Sequence, residues 1–341
     1  MAKPTGLSDR TDGAASPPAR PPLRTNRWRT AVAWTLVGAW GAWAAGRLAG
    51  ADRLPVVEYP GTPLISVTPY VAATVPIPLA CAAVLRRPRA LLAGGLVAAA
   101  FVAVMLPRAV GSGGPAAAGP ELRVLTANLM FSRADPARVV DLVRRGHADV
   151  LSLQELTPAG VAALDRAGLR AELPYRVIEP RWGATGTGLY ARYPLRATAP
   201  VASADMAMPQ AELTLPGGVR VELTAVHPLP PFSRRYFRSW KHDLGALPSA
   251  TPRGPVRILA GDFNATLDHA RLRAVLGRGY ADAADRAGKG LVLTWGLSSA
   301  HGPPLTLDHV MVDSRVAVRR VDIYDLPGSD HRALFADLRL P

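Results

Sequence analysis

The sequence predicts an α/β domain with layered sheets, set behind three apolar segments long enough to cross a membrane. Two observations predict it. Three stretches within the first 110 residues are apolar and free of charge, whereas from residue 121 onward short apolar runs alternate with helical patterns. Nearly every one of those later runs ends in a carboxylate, an amide or an imidazole. Strands mixed with helices argue for sheets covered by helices in layers. The 341 residues leave room for two domains, or for one large domain with an appendage. With 49% hydrophobic residues the chain is apolar for a soluble protein, yet too polar for a polytopic transporter. Its single cysteine, Cys81, excludes an intramolecular disulfide and a Cys-rich zinc site. An extracytoplasmic location stays open, because exported proteins can dispense with disulfides.

Residues 1–28 are rich in Pro, Ala and Arg without periodicity and read as a disordered basic leader. Residues 29–110 read as a transmembrane region with spans at about 30–47, 63–85 and 90–108. A spanning helix needs roughly 17–25 mainly apolar residues, and Trp34, Trp40 and Trp43 are suited to a membrane interface. Pro60, Pro63, Pro69, Pro76 and Pro78 interrupt the second stretch, so a kinked or re-entrant path is as compatible as a straight crossing. A buried helical hairpin and a cleaved signal peptide are the competing readings; two further apolar stretches weigh against the latter. Lys3, Arg10, Arg20, Arg24, Arg27 and Arg29 precede the first span, and Arg86, Arg87 and Arg89 separate the second from the third. The loop between the first two spans balances Arg47 and Arg53 with Asp52 and Glu58. Lys and Arg mark the cytoplasmic side. Three crossings then predict a multi-pass cell-membrane protein with its N-terminus cytoplasmic and everything after Pro107 outside. "GSGGPAAAGP", residues 111–120, reads as a linker to a domain over residues 121–341.

The net charge is +14, unevenly spread: residues 1–120 carry 12 basic and 4 acidic side chains, residues 121–341 carry 28 and 22. A basic protein invites a nucleic-acid reading. More than half of the excess, however, lies in the membrane-like third, so charge alone selects no partner.

In the distal part, "LRVLTANLM" alternates and then stops at Asn128, and "ADVLSLQEL" ends in Gln154 and Glu155. "GTGLYARYPL" and "VRVELTAVHPLPP" follow, the latter ending in His227, and "VRILAGDFNAT" finishes in Asp262 and Asn264. "LTLDHVMVD" carries Asp308 and His309, and the terminal run "GSDHRALFADLRL" opens on Asp330 and His331. Helical patterns lie over 136–145, 159–167 and 234–247. One polar strand end means little, since such groups are costly to bury unpaired; several are what a shared site at one sheet edge requires. Glu155, Asn128 and Asp330 offer oxygen ligands for a hard divalent ion. His227, His331 and Asp308 offer proton transfer and its orientation, and Asp262 and Asn264 can position water and a phosphoryl oxygen.

"TANLMF", "DVLSLQE", "AVHPLPP", "GDFNAT", "LDHVMV" and "SDHRAL" together resemble the ordered motif set of the endonuclease/exonuclease/phosphatase superfamily. That group includes deoxyribonucleases, abasic-site endonucleases, neutral sphingomyelinases and inositol-polyphosphate 5-phosphatases. The resemblance spans residues 121–341. It implies a four-layer α/β sandwich, two packed mixed sheets flanked by helices, with the site at one end of the sheets. It also implies Mg²⁺ as cofactor, with Mn²⁺ as the alternative. Glu155 resembles the principal metal ligand with Asn128 beside it, and Asp330 a further metal-site carboxylate. Asp262 resembles the group that positions the attacking water, and Asn264 the amide that binds phosphate. His331 resembles the imidazole at the scissile phosphate, and Asp308 the carboxylate that orients it. His227 stands where deoxyribonucleases and sphingomyelinases have histidine and abasic endonucleases have tyrosine. The implied chemistry is in-line attack of water on a phosphorus ester.

Other features have plainer readings. His309 alternates with Asp308 and should face away from the site; His147, His242, His269 and His301 have no motif around them and read as solvated or capping. "SRRYFRSWKHDL" sets Arg234, Arg235, Arg238 and Lys241 among aromatics, either a phosphate-tracking face or an amphipathic helix with Phe237, Trp240 and Leu244 inward. The glycines of "RWGATGTGLYARYPL" permit a tight turn into a strand. Trp295 resembles a family position near the substrate, with core packing as the alternative. The expected protein is a membrane-anchored phosphodiesterase or phosphatase, nuclease-like first and a phospholipid-headgroup hydrolase second. A nuclease predicts a basic track beside the site; a lipid enzyme predicts exposed apolar loops. The rival of another class is a non-catalytic binding domain that keeps the fold. The bilayer is the one other expected partner, and no protein partner can be inferred.

Overall fold

Helix-forming residues fill the first third of the chain, and proline decides where its helices break. The computed structural model describes residue 2 and residues 27–203, 205–297 and 302–341. Most of the leader expected over residues 1–28, like His301, lies outside the described residues; Arg27 and Trp28 already begin α1 (Arg27–Ala49). The second apolar stretch is not one straight helix but α2 (Glu58–Ile65), α3 (Thr68–Ala73) and α4 (Pro76–Val84), a bent path that fits a broken span or a re-entrant loop. Pro69 and Pro76 lack the amide that would continue a preceding helix and sit in first turns, where that lack costs little. The path bends by 58° between Glu58–Ile65 and Thr68–Val84. Among the described residues, α5 (Pro88–Val110) is the one helix long and apolar enough by itself to cross a membrane; α1 is as long but diluted by Thr, Gly and Arg.

Ala33 and Val37 pack with Ala82 and Ala90, and Ala44 packs with Val75 and Phe101. The helices α1 and α5 therefore run the same way and α4 the opposite way. Arg27 and Arg29 share one end of this bundle with Arg86, Arg87 and Arg89, and the distal domain meets the other end. Leu92 and Leu96 of α5 are 73% and 74% exposed, part of an apolar surface that no protein covers.

Residues 111–120 form neither helix nor strand. The chain then lays down β1 (Glu121–Asn128), β2 (Val150–Gln154), β3 (Tyr175–Glu179) and β4 (Thr187–Ala191). A second sheet follows from β5 (Leu195–Ala197), β6 (Gln210–Thr214), β7 (Arg220–Val226), β8 (Val256–Asp262), β9 (Tyr280–Asp282) and β10 (Asp308–Asp313). Finally β11 (Ala317–Asp325) and β12 (Arg332–Arg339) return to the edge of the first sheet. The orders are β11-β12-β1-β2-β4-β3 and β5-β6-β7-β8-β10-β9. Each sheet is antiparallel except for one central parallel pair, β1–β2 and β7–β8.

Strand alternation sorts side chains between two faces. Leu122 and Val124 of β1 meet Ile258 of β8 and Val310 of β10 between the sheets, while Leu125 and Ala127 face outward. That outward face is covered by α6 (Pro136–Gly146), α7 (Pro158–Arg166) and α8 (Leu169–Glu172). The outer face of the second sheet receives Phe237, Trp240 and Leu244 of α9 (Arg234–Ala246) and Leu272 and Val275 of α10 (Ala270–Leu276). Asp135, Thr157 and Ser233 cap α6, α7 and α9 through side-chain oxygens. Helix, sheet, sheet and helix make the expected four layers. Each large apolar side chain fully buried in them contributes roughly 1.5–3 kcal/mol.

The first third does not hang from the distal domain; it is bonded to it. Arg47 at the end of α1 and Arg108 at the end of α5 both pair with Asp268 at 3.0 Å, and the Asp268 side chain is fully buried. Asp52 accepts the amide of Ala270 at 2.8 Å and so caps α10 from outside. Glu58 pairs with Lys241 at 2.9 Å and also with Arg271.

Candidate active site

Parallel pairing puts the carboxyl ends of β1 and β2 on the same side, and does the same for β7 and β8. Asn128, Glu155, His227 and Asp262 stand at or just past those four ends. The antiparallel partners complete the rim from their starts. Asp308 opens β10 directly opposite Asp262, and His331 immediately precedes β12, which runs against β1. Ligand sites in open α/β sheets favour this location. All eight residues singled out in the sequence thus converge. Glu155, His227, Asp262, Asn264, Asp330 and His331 line one cavity of about 510 Å³. Asn128 and Asp308, fully buried, stand behind them.

Two hydrogen-bonded groups can be traced. In the first, the Asn128 amide nitrogen donates to Glu155 Oε1 at 3.2 Å and to Asp262 Oδ2 at 3.1 Å, while its oxygen accepts from the Met130 amide at 2.9 Å. Phe131 donates its amide to Glu155 Oε2 at 2.8 Å. Among the described residues, seven non-glycine residues have positive φ, and five surround this site: Met130, Phe131, Ser132, Glu155 and Asn264. A left-handed backbone at such residues is uncommon and costs about 1–3 kcal/mol each. Here it turns the amides of 130 and 131 back onto Asn128 and Glu155.

In the second group, His331 Nδ1 lies 2.9 Å from Asp308 Oδ2, and His331 Nε2 lies 3.6 Å from Asp262 Oδ2. His227 Nε2 is 3.8 Å from the same oxygen. Burial works against charge on His331, but the carboxylates of Asp308 and Asp262 outweigh it and raise its pKa. Burial also raises Asp262, against the pull of His331. Nothing comparable rescues His227, whose pKa burial lowers to about 3, so it is neutral at physiological pH. Glu155 is raised by burial as well, the Phe131 amide and Asn128 opposing. The arrangement offers one imidazolium, one neutral imidazole and several carboxylates around a single cavity.

The donor chemistry suits a divalent cation. Glu155, Asp262 and Asp330 bring carboxylates to a cavity lined, among the described residues, by no Lys or Arg. Oδ1 of Asp308 is buried without a hydrogen-bond partner. Asp262, Asp308 and His331 also present ligand atoms within 4.8 Å of one another, a geometry that can hold a metal ion.

Two supporting residues, Ser329 and Thr294, carried no signal in the sequence. Ser329 donates to the Asn128 carbonyl at 2.8 Å and accepts the His331 amide at 3.0 Å, tying the last strand to the first. Thr294 Oγ1 accepts the Asp308 amide at 3.0 Å. Trp295 lines the cavity and donates to Asp330 Oδ2 at 3.0 Å. His309, on the opposite face of β10, is buried against Asp282 at 2.7 Å. Gly261 explains the glycine before Asp262: a Cβ there would meet the Val226 carbonyl oxygen at 1.9 Å. Val226 and Gly261 are paired in register, so their close approach sets how near His227 comes to Asp262. Gly261→Ala is expected to force β7 and β8 apart and lower turnover at least ten-fold. Wild-type turnover in that variant would show that the separation is not critical.

A sequence profile described as "Endonuclease/Exonuclease/phosphatase family" matches residues 125–331. Among solved structures, a D. rerio TDP2 humanized by 14 mutations is similar at 21% identity and a TM-score of 0.51, over 64% of this chain and 99% of that one. An endonuclease/exonuclease/phosphatase from Beutenbergia cavernae matches at 18% identity and a TM-score of 0.49, over 64% of this chain and 72% of that one. An AP endonuclease from Archaeoglobus fulgidus matches at 14% and 0.48, over 63% of this chain and 98% of that one. At 21% identity the likeness to the TDP2 structure speaks to the fold alone. No curated protein matches the chain in sequence. The profile runs from β1, which carries Asn128, as far as His331, and by that match the chain belongs to the Endonuclease/Exonuclease/phosphatase family.

Proposed function

We propose that this protein is a membrane-anchored, Mg²⁺-dependent phosphoesterase that hydrolyses a phosphodiester or phosphomonoester by in-line attack of water. The observation that carries the reading is the row Asp308–His331–Asp262 gathered with Glu155 and Asp330 at one cavity. Family membership supports a metal-dependent phosphoesterase in general. Glu155, Asn128 and Asp330 would hold Mg²⁺, or Mn²⁺ in its place, whose charge offsets that developing on the phosphoryl oxygens. These oxygen donors suit a hard cation better than the Asp262, Asp308 and His331 set, which includes an imidazole.

The chain's own residues divide the remaining work. Asp262, its pKa raised by burial, accepts the proton of the attacking water. His331, held charged by two carboxylates, stabilises charge on the scissile phosphate. Asp308 orients the imidazole. Asn264, whose amide is fixed by a 2.9 Å bond to the Pro228 carbonyl, has a second N–H left to offer the phosphate. His227, neutral, adds a polar contact without charge.

The location is read from the bundle. One end gathers Arg27, Arg29, Arg86, Arg87 and Arg89, which supports a cytoplasmic position for it and an extracellular one for the domain at the other end. A label on the catalytic domain that intact cells exclude would overturn that orientation.

The full-length protein in detergent should turn over bis-p-nitrophenyl phosphate, lose that turnover in EDTA and regain it with Mg²⁺ or Mn²⁺. An Asn264→Ala/His331→Ala variant should be inactive throughout. Turnover unaffected by EDTA would overturn the metal assignment. A folded protein inert on every ester would favour the binding-domain rival.

A further inference from the structure

We propose that the membrane region forms part of the substrate site, and that the cavity takes a phosphate ester carrying an apolar chain drawn from the bilayer. This deepens the phosphoesterase reading and rests on it. Pro63 and Ser66, on and just after α2, line the same cavity as Glu155, Asp262 and His331. They lie well outside residues 125–331, the part of the chain that matches the family. The segment crosses the mouth as a strap fastened at two points. On one side the Tyr59 hydroxyl donates to the Phe232 carbonyl at 2.8 Å, and the Tyr59 ring meets Phe237 edge-on at 5.9 Å. On the other the Tyr70 hydroxyl donates to the Pro304 carbonyl at 2.6 Å, next to Leu305, which lines the cavity.

What lies between strap and catalytic rim is apolar. Met130, Leu229, Phe232 and Leu305 face the cavity with Pro63, and Phe232 is 71% exposed. Leu64, beside Pro63, is also exposed, so the apolar lining continues onto the outer surface of the membrane region. Two of the four cations on the basic helix beside the site are engaged by the membrane region, while Arg235 and Arg238 stay exposed. Lys241 of α9 pairs with Glu58, and Arg234 lies over the Tyr59 ring at 5.4 Å. A nucleic acid needs cations along its backbone, and the described residues lining this cavity include no Lys or Arg. A site with acid–base groups at its floor, apolar side walls and a membrane segment across its mouth fits an amphiphile. Its phosphate reaches His331 and its chain lies between Pro63 and Phe232.

The test uses the full-length protein in nanodiscs and a series of alkyl p-nitrophenyl phosphates from methyl to dodecyl, each below its aggregation concentration. Attack of water on phosphorus forms one P–O bond and releases p-nitrophenolate, the water proton passing to Asp262 and on to solvent. The kcat/KM value should climb by up to about four-fold for each methylene that enters the cavity, then level off. Phe232→Asp and Pro63→Asp, both at exposed positions and so compatible with folding, should each cut the dodecyl-to-methyl ratio at least ten-fold. Rates indifferent to chain length in the wild type would overturn the proposal while leaving the phosphoesterase reading intact. So would variants that lower every ester by one common factor, or single-stranded DNA cleaved faster than any alkyl ester. No EDTA-sensitive turnover of any ester, methyl included, would overturn the phosphoesterase reading and this proposal together.

Discussion

His331→Ala in the full-length protein is expected to lower phosphoester turnover by about 10²–10³-fold, the range for losing one group that stabilises developing charge at a reacting centre. The fold should survive, because His331 lies at the rim and β12 keeps its register with β1 on one side and β11 on the other. Unchanged circular dichroism alongside lost turnover would separate chemistry from stability. A second substitution tests how His331 is held. Asp308→Asn preserves shape but removes the carboxylate 2.9 Å from Nδ1. That carboxylate, together with Asp262, raises the His331 pKa against burial. With its largest support gone the pKa must fall, so the protonated form is lost at lower pH and the alkaline limb of kcat/KM moves to lower pH. A limb that stays in place would remove His331 from the titration.

Asp268→Ala is expected to destabilise the full-length protein by about 3–5 kcal/mol, the cost of removing one partner from a buried ion pair. Asp268 is fully buried between Arg47 and Arg108, which are themselves largely buried. Without the carboxylate both guanidiniums lose their counter-charge, and Arg273, its pKa already lowered to about 10 by burial and by Arg47, keeps only Asp52 to oppose them. Thermal unfolding in detergent reads the loss directly. Replacing all three residues by Met, Met and Leu should recover most of it, because a well-packed apolar cluster avoids the desolvation that the ions must offset. A wild-type melting temperature for Asp268→Ala would show the cluster to be solvated and unimportant. Turnover should fall as well, since Asp268 lies on the loop that begins at Asp262.

Much of this was legible in the sequence because strand ends are conspicuous. "GDFNAT" and "SDHRAL" set polar groups against apolar runs, and the structure gathers their side chains with Asn128, Glu155, His227 and Asp308. The helices at 136, 158 and 234 fall within a residue or two of their expected bounds, since each is amphipathic and begins beside a capping Asp, Thr or Ser. The edge strands β3, β5 and β9 were not legible. They are three to five residues long, and β3 is only partly buried, which leaves little alternation to read. The second apolar stretch was legible as a span or a kinked or re-entrant path because its prolines are visible in the sequence; that the bend brings Pro63 and Ser66 to the cavity was not. Ser329 and Thr294 could not be found in advance, because their task is to hold backbone amides and carbonyls that come together only in the folded chain.

The site is divided between the two sheets. Asn128, Glu155 and His331 stand on or beside strands of one, whereas His227, Asp262, Asn264 and Asp308 stand on or beside strands of the other. Neither sheet alone holds a working constellation, so the tolerances of catalysis are those of the apolar layer that aligns one sheet on the other. A buried bond from Ser152 to the Ala260 carbonyl, 2.8 Å long, pins that alignment beneath the site. Activity is consequently a gauge of registration between the sheets. Conditions that let the layers slide while each sheet keeps its ladder should silence the enzyme before any secondary structure is lost.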